Sequence, residues 1–281
     1  MIAPINRVIG DTLFRIIPSG GVFPEAWASI FPHCETIFHS NIRTVEINVD
    51  VRCTDWKNLN SKGELRRQRS VYRDETTNSI IIDEIDYTAE IYRCSNGLVC
   101  RSIAAGESNY ALKAMLLAIV ALDSADRQRL LVHASLVQHQ DSGNWVFAGA
   151  SGSGKTTIAT ELLGNGSALS TDRVILGVTN GRVVAHDTPF SNPPDLTPES
   201  GPVAVDGIAF IRQEKRHQVK TLSKEEALGQ LLHHCTLFRS IDGYFDQQLQ
   251  SAVSVCETAE LQTLSFAKNP GFWRLLKKGT K

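Results

Sequence analysis

Gly149-Ala150-Ser151-Gly152-Ser153-Gly154-Lys155-Thr156-Thr157 is the stretch on which the reading of this chain turns. It meets the pattern G-x-x-x-x-G-K-[ST] at every fixed position. The apolar run Trp145-Val146-Phe147-Ala148 precedes it and has the length of a buried strand. Ile158-Ala159-Thr160-Glu161-Leu162-Leu163 follows, with Ile158, Leu162 and Leu163 on one helical side. Strand, glycine-rich turn and helix form the context in which such a loop wraps phosphate. Glycine lets the backbone come close to phosphate oxygens with several N–H groups pointing inward. The start of the following helix carries the positive end of its dipole. Lys155 then reaches the β- and γ-phosphates, and the Thr156 hydroxyl meets Mg²⁺. The predicted nucleotide-binding residues are Gly149, Ser151, Gly152, Ser153, Gly154, Lys155, Thr156 and Thr157.

The chain has 281 residues, enough for two domains with a substantial core. With 42% hydrophobic and 21% charged residues, its composition is that of a folded globular protein. A net charge of −1 gives no global field for nucleic acid or an anionic membrane. Residues 1–21 contain Arg7, Asp11 and Arg15 and no continuous apolar core of signal type. The longest strongly apolar stretch, Ala114 to Leu122, is too short to span a bilayer. The expectation is a cytoplasmic protein without nucleic-acid or membrane partners. None of the six cysteines form C-x-x-C. Cys94 and Cys100 flank the hairpin signal Asn96-Gly97 and are expected to face each other across it as mere neighbours.

In chain order, residues 1 to about 43 read as irregular, with a short helix starting at Phe23-Pro24-Glu25-Ala26-Trp27. Val45, Ile47, Val49, Val51 and Cys53 alternate with polar residues and predict a half-buried strand. A polar stretch over 57–69, with Arg66, Arg67 and Arg69, reads as a solvated loop or edge. Four strand-like runs follow at 71–73, 79–83, 85–93 and 97–103, an antiparallel meander. Residues 1–106 are therefore predicted to form a small β-rich domain. Residues 107–281 form the second, opening with an apolar helix over 107–122 that Asp123-Ser124-Ala125-Asp126 ends. Further strands are expected at 130–137, 174–177, 182–185, 208–211 and 261–266, with a tight turn at Asn180-Gly181. Five prolines between 187 and 202 mark a long loop. Ser223 and Glu226 form a capping-box pattern for a helix running to about Phe238. Helices at 246–257 and 270–278 complete the class, α/β of the α+β kind with a mixed sheet.

Phosphate transfer needs Mg²⁺ as well as a cradle, and often a carboxylate to orient or deprotonate the acceptor. Asp172 is the best-placed carboxylate, seventeen residues beyond Lys155 where the chain returns to the sheet. His133 stands mid-strand in Leu131-Val132-His133-Ala134-Ser135 and on its own reads as a core or edge histidine. In His233-His234-Cys235, adjacent helical residues point different ways and no spaced partner completes a zinc site. Lys215, Arg216, His217 and Lys220 read as a solvated loop from which a cation could reach a phosphoryl group.

Leu131-Val132-His133-Ala134-Ser135-Leu136-Val137, the phosphate loop and Leu169-Ser170-Thr171-Asp172-Arg173-Val174 together resemble the C-terminal domain of HPr kinase/phosphorylase. They are closer to the HPr-kinase-like proteins of bacterial peptide-modification clusters. Phosphoenolpyruvate carboxykinase belongs to the same superfamily. The resemblance covers about 129–177 and weakens in Asp187-Thr188-Pro189-Phe190, Thr221-Leu222-Ser223 and 266–276; it does not reach residues 1–106. It implies a P-loop kinase domain that takes ATP and Mg²⁺ and phosphorylates a hydroxyl, with serine of a small protein or peptide as acceptor. Carried over, Lys155, Asp172 and His133 are the catalytic residues: Asp172 as general base or metal ligand, Thr156 as Mg²⁺ ligand, and His133 tuning the acidic site. HPr kinases form hexamers, which leaves a homo-oligomer open. Two departures stand out. Thr171 replaces the first of the family's paired aspartates, leaving its task to Asp187 or water. The glycine-rich L-E-I-R-G-x-G segment is absent, and Gly207-Ile208-Ala209-Phe210-Ile211-Arg212 lacks its glutamate. A nucleotide-binding regulatory or scaffold protein, and a small-molecule kinase or carboxykinase-like enzyme, are the alternatives. No L-S-G-G-Q-like segment follows the loop, which argues against a transporter-type ATPase.

Overall fold

The structure is a computed structural model, and it describes residues 5–9, 11–19, 43–52, 70–84, 87–95, 97–105, 109–188, 190 and 201–277. It is mixed α/β, with few helices and with sheets that combine parallel and antiparallel pairs. The chain divides into two compact units, Met1–Asp123 with Phe238–Phe245, and Ser124–Leu237 with Asp246–Lys281.

The first unit is built on β1 (Ile5–Ile9), β2 (Thr12–Ser19), β3 (Arg43–Arg52), β4 (Ser70–Asp74), β5 (Ser79–Asp83), β6 (Tyr87–Cys94) and β7 (Gly97–Ala105), in the sheet order β1-β2-β3-β7-β6-β5-β4. Strands β4 to β7 make the expected antiparallel meander. Within the stretch read as irregular, residues 5–9 and 12–19 are strands: β1 and β2 form a hairpin and β2 runs parallel to β3. Phe14 and Ile16 sit opposite Val45 and Ile47, all buried. Local alternation is weak at the start of β2, where Thr12, Leu13 and Phe14 are buried in succession. Cys94 lies opposite Gly97 and Cys100 opposite Ile91, so the two cysteines do not face each other as expected. The helix expected at 23–27 and the polar stretch 57–69 lie outside the described residues.

Helix α1 (Asn109–Asp126) runs a full turn past the predicted stop. Asp123 is a buried anchor there, taking hydrogen bonds from Thr12 Oγ1 at 2.9 Å and Arg43 Nε at 2.6 Å. Such a pair satisfies a carboxylate that burial would otherwise penalise.

The second unit holds β8 (Leu130–Val132), β9 (Ala134–His139), β10 (Gly143–Ala148), α2 (Lys155–Thr160), β11 (Gly166–Ser170), β12 (Val174–Thr179), β13 (Arg182–His186), β14 (Val203–Ala204), β15 (Gly207–Gln213), β16 (Gln218–Thr221), α3 (Lys224–His234), all of α4 (Tyr244–Thr258) from Asp246 onward, β17 (Leu261–Phe266) and a closing 3-10 helix, Pro270–Leu275. Its larger sheet has the order β11-β9-β10-β15-β17-β16, and a smaller one the order β14-β13-β12-β8. β10, β15 and β17 are parallel neighbours at the centre. Leu136, Val146 and Ile208 pack into one core with Ala252 and Val255 of α4. Phe147, Ile158 and Phe266 pack into another with Phe272 and Trp273. Burial on both faces explains why β10 reads as an unbroken apolar run.

The expected strand over 130–137 is two strands, broken at His133 as the chain leaves the small sheet for the large one. Asn180 (φ 51°) and Gly181 (φ 71°) make the expected tight turn between β12 and β13. The capping box of α3 is present, with Glu226 N donating to Ser223 Oγ at 3.2 Å and Ser223 N to Glu226 Oε2 at 3.1 Å. That helix ends at His234 and not near 238, because Cys235 turns extended and bridges Val132. Among the described residues no helix is long and apolar enough to cross a membrane.

Candidate functional site: a phosphate loop beside a sheet junction

Residues 149–154 connect β10 to α2 at the carboxyl end of the parallel strands, where open α/β sheets place their ligands. The backbone is glycine-dependent at two points. Gly154 has φ 103°, and a Cβ there would meet Phe266 Cζ at 2.6 Å and Gln213 Nε2 at 2.7 Å. Gly152 has φ 78°, and a Cβ there would meet nothing within 4 Å, so its α-carbon borders open space. Ser153 Oγ is buried and has no hydrogen-bond partner among the described residues. A loop that keeps a polar atom unpaired and a left-handed glycine open to the cleft fits an anion ligand.

Lys155 is buried, and its Nζ donates to Gly149 O at 2.8 Å and Ala150 O at 3.0 Å. Two of its three N–H donors hold the loop, leaving one for a further acceptor. Burial pulls this ammonium below its usual range, while the Asp172 carboxylate acts the opposite way. Thr156 is exposed on the first turn of α2, and Thr157 is half-buried beside it. Helix α2 covers only Lys155–Thr160 and stops short of the predicted Leu163. Leu162 N already bonds to Thr157 O, and Gly164 turns left-handed at φ 57°. So short a helix contributes little dipole; the loop amides and Lys155 carry the attraction for anions.

The second part of the site forms where two chain segments change sheets at the same place. His133 separates β8 from β9, and Thr171-Asp172-Arg173 separate β11 from β12. In both cases one strand lies in the small sheet and the other in the large one. Ala134 N donates to Asp172 O at 3.2 Å, which locks the two crossings together. His133 Nε2 comes within 3.2 Å of Asp172 Oδ1, and Arg173 Nη1 donates to the same oxygen at 2.9 Å. Burial penalises the Arg173 charge, and Asp172 offsets that penalty. Ser170 Oγ and Thr188 Oγ1 both donate to Arg173 O, at 2.6 and 2.7 Å, so the turn is fixed from two sides.

The predicted site residues thus fall in one unit: Gly149 to Thr157 on the loop, His133 and Asp172 in contact at the junction, and Lys155 within the field of Asp172. His133 is not mid-strand but at a strand break, which frees its ring from ladder packing. The predicted cation group does not line the cleft: Lys215 and Arg216 are exposed in a turn, His217 is held by Asn269 Oδ1 at 2.8 Å, and Lys220 lines the neighbouring cavity. Arg212 lines it instead.

The sequence reading considers His234 only as part of an incomplete zinc site and gives it no role in the cleft. It shares with the loop a cleft of about 730 Å³, its ring lies 6.2 Å from and nearly parallel to that of Phe210, and its carbonyl accepts from His133 N at 2.8 Å. Burial pushes its pKa down to about 4, with the charges of His233, Lys155 and His133 adding to the shift. The Ser223/Glu226 capping box is the one sequence signal that bears on it, since it fixes where α3 starts and hence the helix face on which His234 lies. Among the described residues no three His, Cys, Asp or Glu side chains gather as a metal cage. Mg²⁺ does not require one, since it is commonly held by one or two carboxylates, waters and substrate phosphates. Thr156 and Asp172 fit that mode. Compared with known proteins, the chain matches no family model and no curated protein.

Proposed function

We propose that the chain is a P-loop phosphotransferase of the HPr-kinase-like kind, moving the γ-phosphoryl group of ATP to a hydroxyl, with serine of a small protein or peptide as acceptor. The observation that carries this reading is Asp172, a carboxylate gripped by His133 and Arg173 and electrostatically linked to the phosphate-loop lysine. A loop alone fits any nucleotide binder. A positioned carboxylate next to it fits transfer to an acceptor.

In this reading the loop amides and Lys155 bind the phosphates and hold the donor in line. Asp172 accepts the proton of the acceptor hydroxyl. His133 and the fixed Arg173 turn orient that carboxylate. Mg²⁺, held by Thr156 and Asp172, supplies charge neutralisation on the phosphates when bound.

The Arg173 pair also supports a second reading. An arginine 2.9 Å from Asp172 Oδ1 engages one carboxylate oxygen in an ion pair rather than leaving it to an acceptor. That favours a nucleotide-binding regulatory protein with little turnover. One assay separates the two: labelled ATP and Mg²⁺ with host lysate, and Lys155→Ala and Asp172→Asn as controls. The kinase reading expects a labelled protein or peptide band that disappears in both variants. Nucleotide binding without any labelled product supports the regulatory reading, and label retained in Asp172→Asn removes Asp172 as the base.

A further inference from the structure

Two cavities of the second unit share walls. The cleft of about 730 Å³ at the phosphate loop and a second of about 410 Å³ have Arg212 and Gln230 in common. Helix α3 roofs both. Glu226 lines the second cavity, Gln230 both and His234 the first, a spacing of i, i+4 and i+8 that puts all three on one helix face. From Glu226 to His234 the helix rises about 12 Å, the length scale of a nucleotide.

We propose that the groove under α3 is the nucleoside subsite of the bound nucleotide, with the phosphates at its His234 end and the ribose and base at its Glu226 end. The assignment rests on the nucleotide-binding reading above and adds a direction to it. Sheet order supplies that direction. β9, which starts just after His133, and β11, which ends just before the Asp172 turn, lie on one side of β10; β15, β17 and β16 lie on the other. With the triphosphate on the loop after β10, the acceptor enters from the Asp172 side and the nucleoside is left the side of β15 to β16.

The lining chemistry agrees. Gln218, Gln230, Thr263 and Ser265 offer both donors and acceptors, as ribose hydroxyls and base edges require. Of the two cations lining the far cavity, Lys220 lies 3.8 Å from Glu226, and Arg212 stands at the wall shared with the phosphate-loop cleft. Gly229 provides an independent mark. It lies inside α3, where glycine costs about 1 kcal/mol relative to alanine. A Cβ at 229 would meet nothing within 4 Å, yet the residue lines the cleft. The fold does not need this glycine, whereas a ligand passing close to the helix does.

The test uses the full chain and measures dissociation constants for Mg–ATP and for tripolyphosphate, with melting temperature alongside. Gly229→Leu is expected to weaken ATP at least about 10-fold, leave tripolyphosphate within about twofold, and hold or raise the melting temperature, since leucine favours helix over glycine. Gln230→Ala is expected to weaken ATP about 5- to 10-fold with the same sparing of tripolyphosphate. An azido-adenine analogue of ATP should photolabel the 218–230 segment. Unchanged ATP affinity in both variants, equal losses for both ligands, or label at 133–135 or 171–188 overturns the subsite. A wild-type chain that binds neither ligand overturns the nucleotide reading itself, and this one with it.

Discussion

The phosphate loop is built from nine consecutive residues, 149–157, whereas the junction beside it joins His133 to Asp172, positions 39 apart. The loop's shape follows from local chemistry: left-handed glycines and one lysine that ties back to two loop carbonyls. The junction exists because two chain crossings between the same pair of sheets coincide. The first kind of site can bind by itself. The second depends on topology and, in the proposed reading, is where a bound phosphate would be made to react. With labour divided in this way, substitutions in the two parts must fail differently.

The largest expected contrast is between Lys155→Ala and Asp172→Asn. Removing the ammonium takes away a charge-assisted contact in a buried loop, so ATP affinity should fall about 100-fold and transfer with it. Removing the carboxylate's basicity should lower transfer about 1,000-fold while ATP affinity stays within about threefold. Titration of ATP and single-turnover transfer, run on both variants, read the split. Parallel losses of binding and transfer in Asp172→Asn would merge the two regions into one binding site.

Within the loop, the two left-handed glycines should also part company. Gly154→Ala combines a left-handed backbone with contacts of 2.6 and 2.7 Å to Phe266 and Gln213, and should cost about 2–4 kcal/mol of stability. Gly152→Ala meets open space and carries the backbone cost alone, about 1 kcal/mol, but it narrows the cradle. Chemical denaturation should therefore rank Gly154→Ala well below Gly152→Ala, and only the latter should remain folded enough to show weakened nucleotide binding.

The same contrast explains what can be read from the sequence. Gly149 to Thr156, the Asn180-Gly181 turn and the Ser223/Glu226 cap are each fixed by a few adjacent residues, and each is legible. Strand β2 is not, since its parallel partner β3 begins only at Arg43 and three successive buried residues, Thr12, Leu13 and Phe14, blur its alternation. The break at His133 is not, because an apolar run looks the same whether it stays in one sheet or crosses to another. Asp172 is legible from its spacing and from family resemblance, but its grip by Arg173 depends on a turn geometry no spacing encodes. His234 is hidden because its place needs the third dimension: a helix end folded over a loop some eighty residues earlier in the chain.

The junction and cleft histidine also set a pH prediction. His234 is held near pKa 4 in the folded chain against about 6.5 in the unfolded one. The unfolded state then binds the extra proton first as pH falls. Stability is full above about pH 6.5, declines toward pH 4, and the contribution of this group levels off below that. His139 is also held below its usual range by burial, so the slope has at least two sources. His234→Gln should flatten it by about 1 kcal/mol or less, given that the ring is half-buried and partly screened. Denaturant midpoints at pH 7 and pH 5 measure this, and an unchanged slope in the variant would show that the ring is not desolvated in the cleft.

The smallest expected effect asks whether α3 is a rigid roof or a loose one. Ser223 accepts from Glu226 N, and Glu226 reaches back to Ser223 N, so the helix start is satisfied reciprocally. Ser223→Ala should cost about 1 kcal/mol in global stability. The more telling quantity is where the cost appears. Ala227 and Leu231 are fully buried and hold the middle of the helix, while its first turn is exposed. Fraying should therefore stay at the Glu226 end, away from the phosphate loop. Hydrogen exchange should speed up over 224–227 and not over 231–234, with the phosphate loop unaffected. If exchange instead rises along the whole helix, the helix is held by its cap and not by its packing. The cleft wall at His234 would then be as much a product of long-range assembly as the junction it adjoins.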